Sequence, residues 1–239
     1  MKTTVTDQAD GLRRLMANSP GRLLAFVGGA SGVGVSSVTM NLAAALGRLG
    51  QDVRVLDERD NLHSTYVRRQ GQLVLVDARL DGEGMLSPLT AQADELVVVL
   101  RPQVEAITAA YACIKRLQQA HSLRRMRVLV NHAANAGDGA RILANLASVA
   151  RSYLALALEP AGCIRKDEQL AQARWLNMSV VEAFPGSPAA LDVDRLAAHV
   201  LRWPVAAAKH PEPALPGVPE EKSARRESSP VMSPAAAGA

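Results

Sequence analysis

Five short apolar runs, each closing on a polar residue or glycine, set the rhythm of the chain: LLAFVG (23–28), DVRVLD (52–57), QLVLVD (72–77), ELVVVLR (95–101) and MRVLVN (126–131). They are near-continuously apolar rather than alternating, the pattern of parallel strands covered on both faces. AGCI (161–164) predicts a short sixth strand. Between the runs lie helical stretches. In SSVTMNLAAALGRLG, Val38, Leu42, Ala45, Leu46 and Leu49 share one stripe, and Gly50 supplies the stop. Ser187 followed by Pro188 is a helix start, a capping hydroxyl with proline in the first turn. Strand–helix alternation with right-handed crossovers predicts an α/β fold, a doubly wound and mostly parallel sheet in a single domain over residues 21–203. Residues 1–20 predict a short amphipathic helix closed by Ser19-Pro20. Residues 204–239 are Pro/Ala/Ser/Glu-rich without apolar periodicity and predict a disordered tail. Ligands of doubly wound sheets bind at the carboxyl ends of the strands, so the strand-ending polar residues are the ones to inspect.

Composition changes this picture little. Aromatics are only 3% of the 239 residues, so the core must be built from Leu, Val, Ala and Ile. Cys113 and Cys163 are too few for a disulfide framework or metal cluster and read as small core residues in a reducing compartment. The polar start MKTTVTDQADGLRR is no signal peptide, and no uncharged apolar run reaches transmembrane length, so a soluble cytoplasmic protein is expected. The net charge of +4 is modest. Its sharpest basic cluster, Lys115, Arg116, Arg124, Arg125 and Arg127, reads as a solvated helix face and helix C-terminus in preference to a nucleic-acid patch.

The candidate chemistry follows the first strand. Gly28-Gly29-Ala30-Ser31-Gly32-Val33-Gly34-Val35-Ser36-Ser37 runs straight into the first helix, where a phosphate loop belongs. Glycines let backbone N–H groups turn inward around an anion, and the helix N-terminus adds its dipole. The same string also serves as a tight turn that packs a helix close to the sheet.

Position by position, Gly29 to Ser36 resembles the deviant Walker A loop of the MinD/ParA superfamily of P-loop NTPases (the SIMIBI class), G-K-G-G-V-G-K-[ST]. The resemblance implies nucleotide-binding roles for Gly29, Gly32, Gly34, Ser36 and Ser37, with ATP or ADP and magnesium as cofactors. Both lysines are replaced: Val35 stands for the phosphate-binding lysine and Ala30 for the one that reaches across a dimer. The loss of that charge facing the β and γ oxygens implies weak binding and little or no hydrolysis. Asp77 takes the Walker B position and, with Ser36, would hold magnesium. Arg59 stands where the family has a water-positioning aspartate, unless Asp60 substitutes by a one-residue shift. The γ-phosphate-sensing glycine is replaced by Asp81 or displaced to Gly82. Asn131 matches the adenine-reading asparagine, and the Asp57–Gln72 connection is shorter than the family's. No catalytic residue is assigned.

Within the superfamily, Asp7-Gln8-Ala9-Asp10-Gly11-Leu12-Arg13 resembles the D-Q-A-x-G-L-R motif of flagellar-number regulators of the FlhG/FleN type. Residues 105–115 and 180–190 resemble two further stretches of that family. This implies regulation of flagellar number or placement, with Asp7, Gln8, Gly11, Leu12 and Arg13 engaging an FlhF-like GTPase of the signal-recognition type. The motif also reads as a capped helix packing on its own domain. LAAHVLRW (196–203) is the last helical stretch and Pro204 ends it, so the basic amphipathic membrane helix that closes MinD-type proteins is not expected. Recruitment to the cell pole or inner membrane surface would then come from partners. Two alternatives stay open: a dimeric switch ATPase, disfavoured by Ala30 and Val35, and a DNA-associated partition-type protein.

Overall fold

The computed structural model describes residues 21–60, 66 and 68–204; the expected N-terminal helix, its partner-binding motif and the 204–239 tail lie, from residue 205 on and before residue 21, outside them. Six strands form one sheet: β1 (Arg22–Gly28), β2 (Asp52–Asp57), β3 (Gln72–Ala78), β4 (Glu95–Leu100), β5 (Arg125–Ala133) and β6 (Ala157–Arg165). Their order is β2-β3-β1-β4-β5-β6, and all five pairings are parallel. The sixth strand is longer than AGCI because its flanks, Ala157–Pro160 and Arg165, also pair with β5; a register shift between Val128 and Leu129 accommodates Ala161 as a bulge.

Helices cover both faces. On one lie α1 (Val35–Arg48), α4 (Gln169–Trp175), α5 (Val180–Ala183) and α6 (Pro188–Val200), packed on Leu24, Phe26, Leu75 and Val97. On the other lie α2 (Val104–His121) and α3 (Ala136–Leu154), packed on Ala25, Val27, Val76 and Val98. Adjacent residues of β1 thus feed opposite cores, which explains why the strand is apolar at every position. The two edge strands differ from the central ones. In β2, exposed Asp52 and Arg54 alternate with half-buried Val53 and Val55, and β6 carries Pro160 and Gly162.

Helix ends follow the expected chemistry. Ser187 accepts a hydrogen bond from the Ala190 N–H at 3.1 Å with Pro188 in the first turn. Gly50 turns left-handed at φ 79° and closes α1. Leu49 departs from the expected stripe. It lies past the last helical residue and is half exposed, whereas Val38, Leu42, Ala45 and Leu46 are buried.

The basic cluster also corrects the sequence picture. Arg127 is not a solvated side chain but 4% exposed, since its strand is central and its guanidinium is held by Glu95 at 3.1 Å, Glu159 at 2.8 Å and the face of Trp203 at 4.2 Å. Arg125 shares Glu95 at 2.8 Å. Cys113 is buried as expected, and burial pushes its thiol up to about 11. Cys163, half-buried, is likewise raised to about 11, mainly by burial. Neither is a reactive thiolate near neutral pH. Among the described residues no helix is long and apolar enough to cross a membrane.

Candidate functional site

The parallel register sets the site. Asp57 ends β2 directly opposite Asp77, the penultimate residue of β3, and Gly28 ends the neighbouring β1. The loop from Gly28 therefore opens over two strand-end carboxylates. Gly32 (φ 71°) and Gly34 (φ 95°) take left-handed conformations that favour glycine, and Gly34 leads into α1 as its N-cap. Gly29 is held by a close approach: a Cβ there would stand 2.6 and 2.7 Å from Cβ and Cα of Ala110 on α2. Gly29→Ala is accordingly expected to cost about 1–3 kcal/mol through overpacking, measured as a lowered urea midpoint. An unchanged midpoint would show that α2 moves away freely.

The rest of the loop is more apolar than a phosphate site needs. Val33 is buried, and Ala30 and Val35, the two positions where the family carries lysine, pack against the same core as Phe26 and Leu42. Ser36 is half-buried, and its hydroxyl donates to Asp77 Oδ2 at 2.5 Å. Ser37 is exposed at the start of α1, where its carbonyl accepts from Asn41.

Arg59 completes this corner. Its Nε lies 2.8 Å from both Asp57 oxygens, and its NH2 group also contacts Asp57, stands 3.2 Å from Ser36 Oγ and 3.6 Å from Asp77 Oδ2. The side chain is aimed by its neighbours. The Arg59 N–H donates to Asp57 Oδ1 at 2.9 Å. Glu58 accepts from the Arg79 N–H at 2.8 Å and from the hydroxyls of Ser87 and Thr90, pinning the short 58–60 turn to the segment after β3. Bonding to Arg59 holds the Asp57 carboxyl below its usual range. Burial raises that of Asp77, against the hydrogen bond from Ser36. Of the two candidates for the water-positioning place, Arg59 reaches Ser36.

A magnesium ion does not fit this arrangement. Its two expected protein partners, Ser36 and Asp77, are bonded to each other, and a guanidinium stands against both and against Asp57. Asn131 is engaged as well. It is 3% exposed, its amide donates to the Val33 carbonyl at 2.8 Å and its oxygen accepts from the His132 N–H at 3.0 Å. The cavity beside it, between Ser37, Asn41 and Leu170, measures about 10 Å³, room for about one water and not for a purine. A Cβ at Gly34 would meet the same amide at 2.6 Å, so Asn131 braces the loop from below. Asp81 accepts from the Glu83 and Met85 N–H groups, and Gly82 lies in that turn with its carbonyl accepting from Arg116 at 3.5 Å.

The structure thus brings Gly29, Gly32, Gly34, Ser36, Ser37, Asp77 and Asn131 to one end of the sheet. Two residues there carried no expected role. Glu58 orients the corner, and the signal for it was only its place in a strand-ending acidic string. His132 adopts φ 59° beside Arg101, its Nε2 3.5 Å from the guanidinium. Burial, then Arg101 and Lys166, lower its pKa, which keeps the ring neutral at pH 7.

No family model matches the chain. It is 28% identical, over an alignment 257 positions long with its gaps, to the antiactivator FleN of Pseudomonas aeruginosa, spanning 82% of this chain and 92% of that protein. The fold is similar to that of the MinD cell division protein of Aquifex aeolicus, with a TM-score of 0.60 at 17% identity over 77% of this chain and 98% of that one. It is also similar to the septum site-determining protein MinD of Pyrococcus horikoshii, solved with Mg-ADP, at a TM-score of 0.54 and 14% identity over 76% and 96% of the two chains. The chain thus has the fold of the MinD proteins and is similar in sequence to the antiactivator FleN, while its glycine loop lacks both lysines of the motif it resembles.

Proposed function

We propose that this protein regulates flagellar number or placement as a binding protein, with little or no ATP hydrolysis. The likeness to FleN over 82% of this chain and 92% of that protein carries the flagellar half of the proposal. The corner at Ser36 supports the other half: the lysine positions are apolar, and the strand-end carboxylates face a guanidinium. Such a loop has no mobile cation to follow charge as it develops on a leaving phosphate. ATP or ADP then binds weakly, if the glycine frame accepts it, through backbone N–H groups alone.

The proposed partner is an FlhF-like GTPase, met through Asp7, Gln8, Gly11, Leu12 and Arg13. Gln8 and Arg13 are five residues apart in sequence, which on a helix would set them about 140° apart, flanking one broad contact surface. Gly11 between them costs helix stability relative to alanine and favours close approach of another backbone. The name of the relative, an antiactivator, supports an activator protein as a further partner. Gln8→Ala with Arg13→Ala is expected to abolish binding of an FlhF-like GTPase in calorimetry and to leave the melting temperature nearly unchanged. Normal binding by the double variant would reduce the motif to a helix packing on its own domain.

A further inference from the structure

Arg59 stands at the meeting point of three groups that otherwise converge on a metal ion. Ser36 Oγ lies 3.2 Å from its NH2 group, Asp77 Oδ2 3.6 Å, and both oxygens of Asp57 lie 2.8 Å from its Nε. Asp57 and Asp77 sit opposite each other in the register. Two carboxylates held side by side repel unless a cation lies between them, and the penalty grows where water is partly excluded. Asp77 is 8% exposed, and the loop position where the resembled motif carries a lysine holds Val35. We propose that Arg59 is an internal cation that takes the place of a divalent metal at the Ser36–Asp57–Asp77 corner and closes that corner to magnesium.

Three features favour this over a chance surface ion pair. The guanidinium is bidentate on Asp57, the geometry that gives Arg–carboxylate pairs their strength and direction. It touches a second strand and the phosphate loop as well, so it bridges three elements. Its turn is fixed from behind by Glu58 through one backbone and two hydroxyl donors. The charge count points the same way. Among the described residues, Arg59 acts on Asp57, Asp60 and Asp77 together, so its positive charge is shared by three carboxylates. Arginine keeps its charge at every physiological pH, so the corner stays closed.

The proposal concerns the same corner as the function above but rests on the loop geometry alone, so it stands or falls separately from partner binding. It is tested on the full chain by titrating Mn²⁺ under electron paramagnetic resonance, with melting curves in chelator and in excess magnesium. The wild type is expected to show no saturable Mn²⁺ site and no magnesium-dependent melting temperature. Arg59→Ala is expected to bind one Mn²⁺ at least about tenfold more tightly than the wild type, to melt lower in chelator and to recover with magnesium. Adding Asp77→Asn should remove both gains. Arg59→Gln, which keeps more of the side-chain volume, gives the same readout if the alanine variant folds poorly, whereas Arg59→Lys should stay closed to the metal. Saturable Mn²⁺ binding by the wild type that Asp77→Asn removes would overturn the proposal. So would folded Arg59→Ala and Arg59→Gln variants that bind no more Mn²⁺ than the wild type.

Discussion

Glu95→Ala is expected to lower folding stability by about 3–5 kcal/mol, the range for breaking a buried ion pair from one side. Glu95 is 4% exposed at the start of β4 and holds two guanidiniums, Arg125 at 2.8 Å and Arg127 at 3.1 Å. Arg127 is as buried as Glu95 and cannot turn to water; it would keep Glu159 and the face of Trp203 but lose the carboxylate on its own sheet. Arg125 is partly exposed and would find solvent, so most of the loss falls on Arg127. Replacing the pair together, with Glu95→Leu and Arg127→Met, should recover much of that loss, because apolar residues of similar volume carry no desolvation penalty. Urea unfolding of the wild type and both variants measures this. A loss below about 1 kcal/mol for Glu95→Ala would place the pair in the range of screened surface bridges.

Val35→Lys combined with Arg59→Asp is expected to raise affinity for Mg-ADP by about ten- to a hundredfold over the wild type. One charge-assisted hydrogen bond to phosphate contributes roughly 1.5–3 kcal/mol, which is that range in affinity. Val35→Lys alone should gain less, since Arg59 still stands against Ser36 and Asp77. Calorimetric titration with and without magnesium separates the two contributions: the gain of the double variant should need the metal, and that of the single variant should not. Equal affinities for wild type and double variant, with the fold intact, would mean that the loop now serves only to pack α1 on the sheet. The wild type should show no magnesium-dependent hydrolysis above background; turnover that disappears in Ser36→Ala would contradict the proposed function.

The fold was legible because its signals are local. Each strand is an apolar run with a polar stop, and the register that sets Asp57 against Asp77 follows from parallel pairing. The phosphate loop was legible for the same reason, as glycines between a strand and a helix. What those loop residues do was not legible, because it depends on contacts between segments far apart in sequence. Asn131 matches a base-reading residue by position, yet in the fold its amide is committed to Val33, 98 residues away. Arg127 looked like one of five surface cations, and only the place of β5 between β4 and β6 buries it. Arg59 was visible as a departure from an aspartate. Its reach to Ser36 depends on the turn that Glu58 fixes, which no spacing rule encodes.

The outer strands of the sheet bear on how two copies could meet. A strand with unpaired N–H and C=O groups along one side invites another chain to extend the sheet, the usual route to aggregation. Here a second copy adding to β2 would have to bury Asp52 and Arg54, whose side chains already contact Gln72 and Tyr66. At the other margin Pro160 offers no donor, and a bulge before Gly162 makes the pairing of β6 irregular. Among the described residues, both margins are thus guarded against continuation of the sheet. What the described residues leave open to a second copy is the helices and loops that cover the two faces of the sheet.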